Sequence, residues 1–341
     1  MSSELQHTAT PLASSIIALI DETRRRTLQK VNTELVRLYW QVGDHLSRES
    51  AKAGWGDAFI DETARHIAKA YPELKGWGRR GLYRMKQFYE TYKDNKNVSP
   101  LVTQISWSCH LAILSGTKDM EEKEFYLNLC ARERYSKREL ERQIRSGYYE
   151  RCMLSAQALP PEITATAARA GEGESPFLDS YVLEFLNLPD LYSESDLKRA
   201  VIGNLKNFVL EFGRDFSFVG EEYRLEVGAS DYFIDLLFYH RGLSCLVAFE
   251  LKIGRFEPEY LGKMNFYLEA LDRDYKKPNE NPSIGVILCA AKDDEVVEYA
   301  MSRSLSPTMV AEYNLKLIDK TILERKLREF RQLAANAPEP E

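Results

Sequence analysis

Tyr232-Phe-Ile-Asp-Leu-Leu-Phe-Tyr239 and Cys245-Leu-Val-Ala-Phe-Glu-Leu-Lys-Ile253 are two strand-like apolar runs joined by a turn at His240-Arg241-Gly242. Each run is interrupted by charge: Asp235 in the first, Glu250 and Lys252 in the second. An ionised group buried without a partner costs several kcal/mol, so three such groups in adjacent strands must neutralise one another or hold a metal ion. Strand side chains alternate between faces, which puts Glu250 and Lys252 on one side with Leu251 opposite, and Asp235 can lie across from them.

Working outward, a strand-like run at Tyr223–Val227 precedes this pair, and a helical stretch near 194–212 comes before it. The apolar spacing then predicts a helix at about 257–271, a strand at 284–290, a helix at 293–303, a strand near 309–314 and a final helix at 320–333. The order αβββαβαβα indicates an α/β domain with a mixed central sheet, over 176–335. Upstream, residues 152–175 contain Pro160-Pro161 and Gly171-Glu-Gly173 with no apolar period and read as a linker. Residues 336–341 form a polar tail.

Residues 1–151 show only helical spacing, from a long helix or two in line between Pro11 and Ser50 to stretches at 57–70, 79–93, 104–115, 119–133 and 136–147. Ser136 and Glu139 form a capping-box pattern at the last of these. The expected fold class is α+β in two domains: an all-α amino-terminal domain, winged-helix-like or simply helical, and an α/β domain with a mixed central sheet. A length of 341 residues suits two cores, because single cores stop growing near ~250 residues.

Charge divides between the halves. Residues 1–150 hold 24 Lys and Arg against 20 Asp and Glu, and the remainder holds 22 against 32, giving +4 and −10. A basic half suits polyanion docking, and an acidic half suits a site whose carboxylates need cations. No apolar run approaches the ~20 residues that span a bilayer, and the first residues lack a signal-peptide pattern, so a cytoplasmic protein is expected. Five scattered cysteines without a Cys-x-x-Cys pair argue against a disulfide framework and against zinc.

Two carboxylates, Asp235 and Glu250, together with the main-chain carbonyl of Leu251, make a hard all-oxygen donor set of the kind Mg²⁺ (or Mn²⁺) prefers, with Lys252 beside it. Asp235…Glu250-Leu-Lys252 is similar to the PD-(D/E)XK nuclease signature, with Ile234-Asp235 in place of Pro-Asp. Residues 217–270 resemble the YhcG-like nucleases, through Ser217-Phe-Val-Gly220, Tyr223-Arg-Leu-Glu-Val-Gly228, Ile234–Tyr239, Glu250-Leu-Lys-Ile-Gly254 and Met264-Asn-Phe-Tyr-Leu268. Residues 14–151 resemble that family's helical amino-terminal domain of unknown function.

The resemblance implies a restriction-endonuclease-like fold for the α/β domain and a metal-dependent nuclease hydrolysing phosphodiester bonds of nucleic acid, with DNA the expected substrate. Asp235 and Glu250 would bind the metal and Lys252 would position the attacking water. Many such enzymes carry an acid on the helix before the strands; here the aligned position is Lys198, so either Glu194 substitutes from one turn earlier or the role is vacant. Lys263 and Tyr267, four residues apart on one helical face, match a further family feature, Lys263 as a phosphate contact and Tyr267 equally as core.

Lys75–Lys93 contains six basic residues and one acid with aromatics interleaved, like a recognition helix. Arg79, Arg80, Arg84 and Lys86 are the expected nucleic-acid contacts, while Leu82, Met85 and Phe88-Tyr89 pack inward. A homodimer is compatible with cutting both strands of a duplex. Two rival functions stand beside the leading one: a catalytically degenerate nucleic-acid-binding or assembly protein, and an RNA endonuclease.

Overall fold

Helix termini in this chain are written into its capping residues. The computed structural model describes residues 30–51, 58–95, 98, 101–155, 163–165, 177–302 and 307–336. They fall into two compact units, Met1–Ile144 and Arg145–Glu341. The expected helical start at 11–29, most of the expected linker 152–175 and nearly all of the tail lie outside the described residues.

The first unit comprises helices α1 (30–51), α2 (Ala58–Ala70), α3 (Arg79–Tyr92), α4 (Trp107–Gly116), α5 (Met120–Glu133) and α6 (Lys137–Arg145), the last ending at the unit boundary, and its described residues contain no strand that would form a wing. Ser106 caps α4 by accepting from the Cys109 N–H, and Asp119 caps α5 by accepting from the Glu122 N–H at 2.8 Å. The capping box at α6 is present: Glu139 accepts from the Ser136 N–H at 2.8 Å and Ser136 Oγ accepts from the Glu139 N–H at 3.4 Å. A left-handed Arg134, φ 50°, ends α5.

One face of α3, Leu82, Met85, Phe88 and Tyr92, is buried. Leu82 and Met85 pack with Tyr39 and Leu46 of α1 and Ile60 and Ala64 of α2. At Gly43 the backbones of α1 and α3 come so close that an added Cβ would sit 2.2 Å from the Met85 carbonyl oxygen. His110 is fully buried beside the Phe88 ring, its Nε2 2.7 Å from the Val102 carbonyl, and burial pushes its pKa down to about 4. It is a neutral core histidine.

The second unit is a six-stranded mixed sheet in the order β1-β6-β5-β4-β3-β2, formed by β1 (Ser180–Val182), β2 (Phe216–Val227), β3 (Ser230–His240), β4 (Cys245–Arg255), β5 (Ile284–Ala291) and β6 (Thr308–Asn314). β2, β3 and β4 run antiparallel, and β4, β5, β6 and β1 run parallel. Helices α7 (Tyr148–Ser155), α8 (Glu194–Gly203), α9 (Leu205–Phe212), α10 (Glu259–Ala270), α11 (Asp294–Met301) and α12 (Lys320–Asn336) complete it.

One side of the sheet buries Phe208, Phe212, Phe216, Phe238 and Phe249, whose rings meet mostly edge to face. The other side buries Ile234, Leu237, Ala248 and Ile287 under Leu261, Met264, Tyr267 and Leu268 of α10.

Four features depart from the sequence reading. Helix α7 (Tyr148–Ser155) was not foreseen and runs into the start of the expected linker. The expected helix at 194–212 breaks at Asn204, where φ is −122°, into α8 and α9. β1 was not foreseen, because three residues carry no period. β2 begins at Phe216, seven residues before the expected start, with a bulge between Phe218 and Gly220. No helix among the described residues is long and apolar enough to cross a membrane.

Candidate active site

The β3–β4 ladder pairs His240 with Cys245 through to Leu236 with Phe249 and then stops. β4 continues past that point along its other edge, pairing Glu250, Leu251 and Lys252 with Ile287, Leu288 and Cys289 of β5. Where the strands part, a backbone donor would be orphaned. The Asp235 carboxylate takes it, with Oδ2 accepting from the Leu251 N–H at 2.9 Å. Asp235 is thereby tied to the β4 backbone between Glu250 and Lys252, the three residues that the charge pattern singles out, and the region they occupy is the candidate cleft.

At the hairpin's far end, His240 Nδ1 accepts from the Leu243 N–H at 3.0 Å. Burial holds that imidazole at a pKa of about 4, so it is a neutral acceptor clamping the turn.

Two helices bring further charge into the cleft. Ser193 and Asp196 form a complete capping box at the start of α8, fixing Glu194 in its first turn and Lys198 one turn on. Glu194 Oε2 lies 3.4 Å from Lys252 Nζ. Lys198 Nζ lies 3.4 Å from Asp235 Oδ1 and 3.1 Å from Glu222 Oε1. From α10, Lys263 Nζ donates to Glu250 Oε1 at 2.6 Å and sits 5.4 Å from the Tyr267 ring centre. Lys252 Nζ is 3.0 Å from the same Glu250 oxygen and 5.2 Å from the Tyr260 ring centre.

Tyr267 is in the core, with its hydroxyl donating to the Phe233 carbonyl at 2.7 Å. It pins β3 two residues before Asp235.

The electrostatics follow from this crowding. Burial alone would lower the Lys252 pKa, but Glu250 and then Glu194 outweigh it and hold the ammonium above its ordinary value. Lys198 and Lys263 behave likewise: burial is outweighed by Glu222 and Asp235 for the first and by Glu250 for the second. The cleft thus holds three charged ammoniums among four carboxylates. Glu250 is 2% exposed, and its Oε2 has no hydrogen-bond partner among the described residues.

No group of three or more His, Cys, Asp and Glu side chains is placed to hold a metal among the described residues. A cation here would take the two carboxylates, a main-chain oxygen and water. The orphaned Glu250 oxygen, one residue from the Leu251 N–H that Asp235 holds, is the kind of hard donor such an ion needs, and in that respect the residues fit.

Residues of the basic segment separate into two pairs. Arg79 lies 3.0 Å from Asp61 and 5.5 Å from the Tyr83 ring centre, and Lys86 lies 3.2 Å from Glu90. Arg80 is exposed and Arg84 half-buried, four residues apart on α3. Two groups of the cleft, Glu222 and Tyr260, carried no signal in the sequence. Glu222 enters through the irregular backbone of β2, and Tyr260 lies on the helix turn facing Lys252.

Similarity to known proteins converges on the same domain. Residues 174–328 match the family model described as the YhcG PDDEXK nuclease domain, and residues 15–151 match the DUF1016 N-terminal domain. The chain is 31% identical, over an alignment of 352 residues covering 92% of each sequence, to a protein of Escherichia coli (strain K12) named "Putative nuclease YhcG".

Among solved structures, a repair endonuclease from Pyrococcus abyssi aligns with 38% of this chain and 50% of its own length at 15% identity. The EndoMS protein of an EndoMS-dsDNA2 complex aligns with 37% of this chain and 46% of its own length at 18% identity. Both have a TM-score of 0.25, too low to carry an argument, and only about half of each of those proteins is spanned. The near-complete alignment with the bacterial relative and the two matched domain models show that this chain belongs to the YhcG family of PD-(D/E)XK nucleases.

Proposed function

We propose that the protein is a Mg²⁺- or Mn²⁺-dependent phosphodiesterase that cleaves nucleic acid, with DNA as substrate, using Asp235, Glu250 and Lys252. The observation that carries this reading is the buried, unpartnered Oε2 of Glu250, whose other oxygen meets the Lys252 ammonium, on the strand whose Leu251 N–H is bound by Asp235. Asp235, Glu250 and the Leu251 carbonyl would hold the ion, which when bound supplies Lewis-acid activation of the phosphodiester.

The chain's own groups have separable tasks. Lys252, kept protonated by Glu250 and Glu194, orients the attacking water and offsets charge growing on the phosphate. Glu194, anchored by the α8 capping box, positions Lys252. Lys263 neutralises Glu250 and, being 45% exposed, can meet a phosphate. Arg80 and Arg84, with Arg79 and Lys86, grip the polymer's phosphates, and a homodimer would present two such sites to a duplex.

One observation favours a second reading. Lys198 and Lys263 already pair with the Asp235 and Glu250 carboxylates, as in a closed structural cluster, which suits a nucleic-acid-binding or assembly protein without catalysis. Metal uptake separates the two. Mg²⁺ is expected to raise the melting temperature of the wild-type protein and not that of Asp235→Asn, because a ligand specific to the folded state stabilises it by mass action. Equal shifts in both proteins would remove the metal site. Parallel assays on DNA and RNA in Mg²⁺ then fix the substrate.

Arg80→Ala combined with Arg84→Ala should weaken nucleic-acid binding and flatten the log–log salt dependence by about one unit per lost phosphate contact. Binding isotherms across a salt series check this. An unchanged slope and affinity would return α3 to a solvated helix face.

A further inference from the structure

Lys198 stands at the helix position where the resemblance leads one to expect an acid, yet it is neither pointing to solvent nor idle. Its side chain is three-quarters buried, with the ammonium bridging Asp235 Oδ1 and Glu222 Oε1. We infer that Lys198 is a built-in second cation, so that the cleft takes one divalent ion and one phosphodiester rather than two divalent ions. This rests on the metal-dependent reading above.

Charge is the first argument. The Lys198 cluster with Glu222 and Asp235, and the cluster of Glu194, Lys252, Glu250 and Lys263, contribute four negative and three positive charges between them, a combined charge of −1. One divalent ion brings it to +1, which a single phosphodiester neutralises. A second would leave it strongly positive, with its repulsion little screened in a partly buried site.

Donors are the second argument. Two-metal centres hold their ions roughly 3.5–4 Å apart and need carboxylates that reach both. Asp235 Oδ2 is committed to the Leu251 N–H, Glu194 to Lys252, and Glu222 to Lys198. The remaining Asp235 oxygen can pass from Lys198 to one divalent ion, leaving the ammonium, still held by Glu222, free to meet the phosphodiester.

The backbone supplies the third. Glu222 has φ 42°, a left-handed conformation that a non-glycine residue adopts only at a cost, just past the β2 bulge. The irregularity brings its carboxylate to the only lysine of α8.

Counting bound Mn²⁺ on the full-length protein, by electron paramagnetic resonance or calorimetry, tests the inference. Wild type should take up one Mn²⁺ per chain, and Lys198→Glu two. Lys198→Met should keep one, bound roughly tenfold or more tightly because a neighbouring positive charge has gone. The Met variant should also lose about one unit of salt slope in binding a DNA oligonucleotide in Ca²⁺.

Two ions on wild type would overturn the inference and leave the metal-dependent reading standing, as would a folded Lys198→Glu that still binds one. Unchanged Mn²⁺ affinity and salt slope in Lys198→Met would overturn it independently of how the Glu variant folds. No uptake by wild type would overturn the metal-dependent reading and this inference with it.

Discussion

Replacing Lys252 with Ala is expected to reduce cleavage by at least about a thousandfold while leaving the protein folded and its divalent-ion uptake intact. Removing one preorganised electrostatic group from a transition state typically costs about 10²–10³ in rate, and Lys252 has two tasks, on the water and on the phosphate. Folding should survive because Glu250 is not stranded: Lys263 remains at 2.6 Å from the same oxygen that Lys252 approaches at 3.0 Å. Ion uptake should hold or strengthen, since one positive charge leaves the cleft.

Glu250→Gln, by contrast, should lose both ion uptake and cleavage, because it removes a ligand. Thermal melts with and without Mg²⁺, alongside cleavage assays, distinguish the two variants. If Lys252→Ala unfolds the second unit and the wild type cleaves neither DNA nor RNA in Mg²⁺ or Mn²⁺, the cluster is structural and the enzymatic reading fails.

The largest stability effect is expected away from this cleft, at Arg151 and Glu211. Their side chains are 1% and 0% exposed and meet at 2.7 Å. Glu211 Oε1 also accepts from the Val182 N–H at 2.8 Å, so one carboxylate ties α7, α9 and the short strand β1 together. Arg151 makes further bonds to the Ser146 and Ser180 carbonyls and the Ser146 hydroxyl, none of which neutralises its charge.

Glu211→Leu should therefore destabilise the second unit by about 3–5 kcal/mol, the usual cost of leaving a buried charge unpaired. That corresponds to a fall of roughly 10 °C in melting temperature for a unit of this size. Adding Arg151→Met should recover most of the loss, since removing both charges together also removes the desolvation cost. A single-variant loss below about 1 kcal/mol by denaturant titration would show that the pair does not act as a buried ion bridge.

The strands and helices that position the cleft were readable because their signals are local. Asp235, Glu250 and Lys252 stood out as charges in apolar runs, and burial of such charges demands compensation wherever the strands end up. The Ser136–Glu139 box and the helix at 259–270 were legible for the same reason: caps and apolar period act within a few residues. Glu194 was one of two options for the helix acid, and its place 3.4 Å from Lys252 depends on the capping box that orients α8 over the sheet.

What the sequence by itself determined is the chemistry available at the cleft: which charges are forced inside, and that the two on β4 share a face through the two-residue strand period. Only the tertiary structure decided their partners. Lys198 with Glu222, Lys263 with Glu250, Tyr260 beneath Lys252 and Arg151 with Glu211 join residues 13 to 60 positions apart, or lie on separate elements brought together by packing. No local period encodes those meetings. Around the cleft they accompany the parting of the β3–β4 ladder and a bulge that shifts β2 by a residue, and such register events are set by the whole sheet closing on its core.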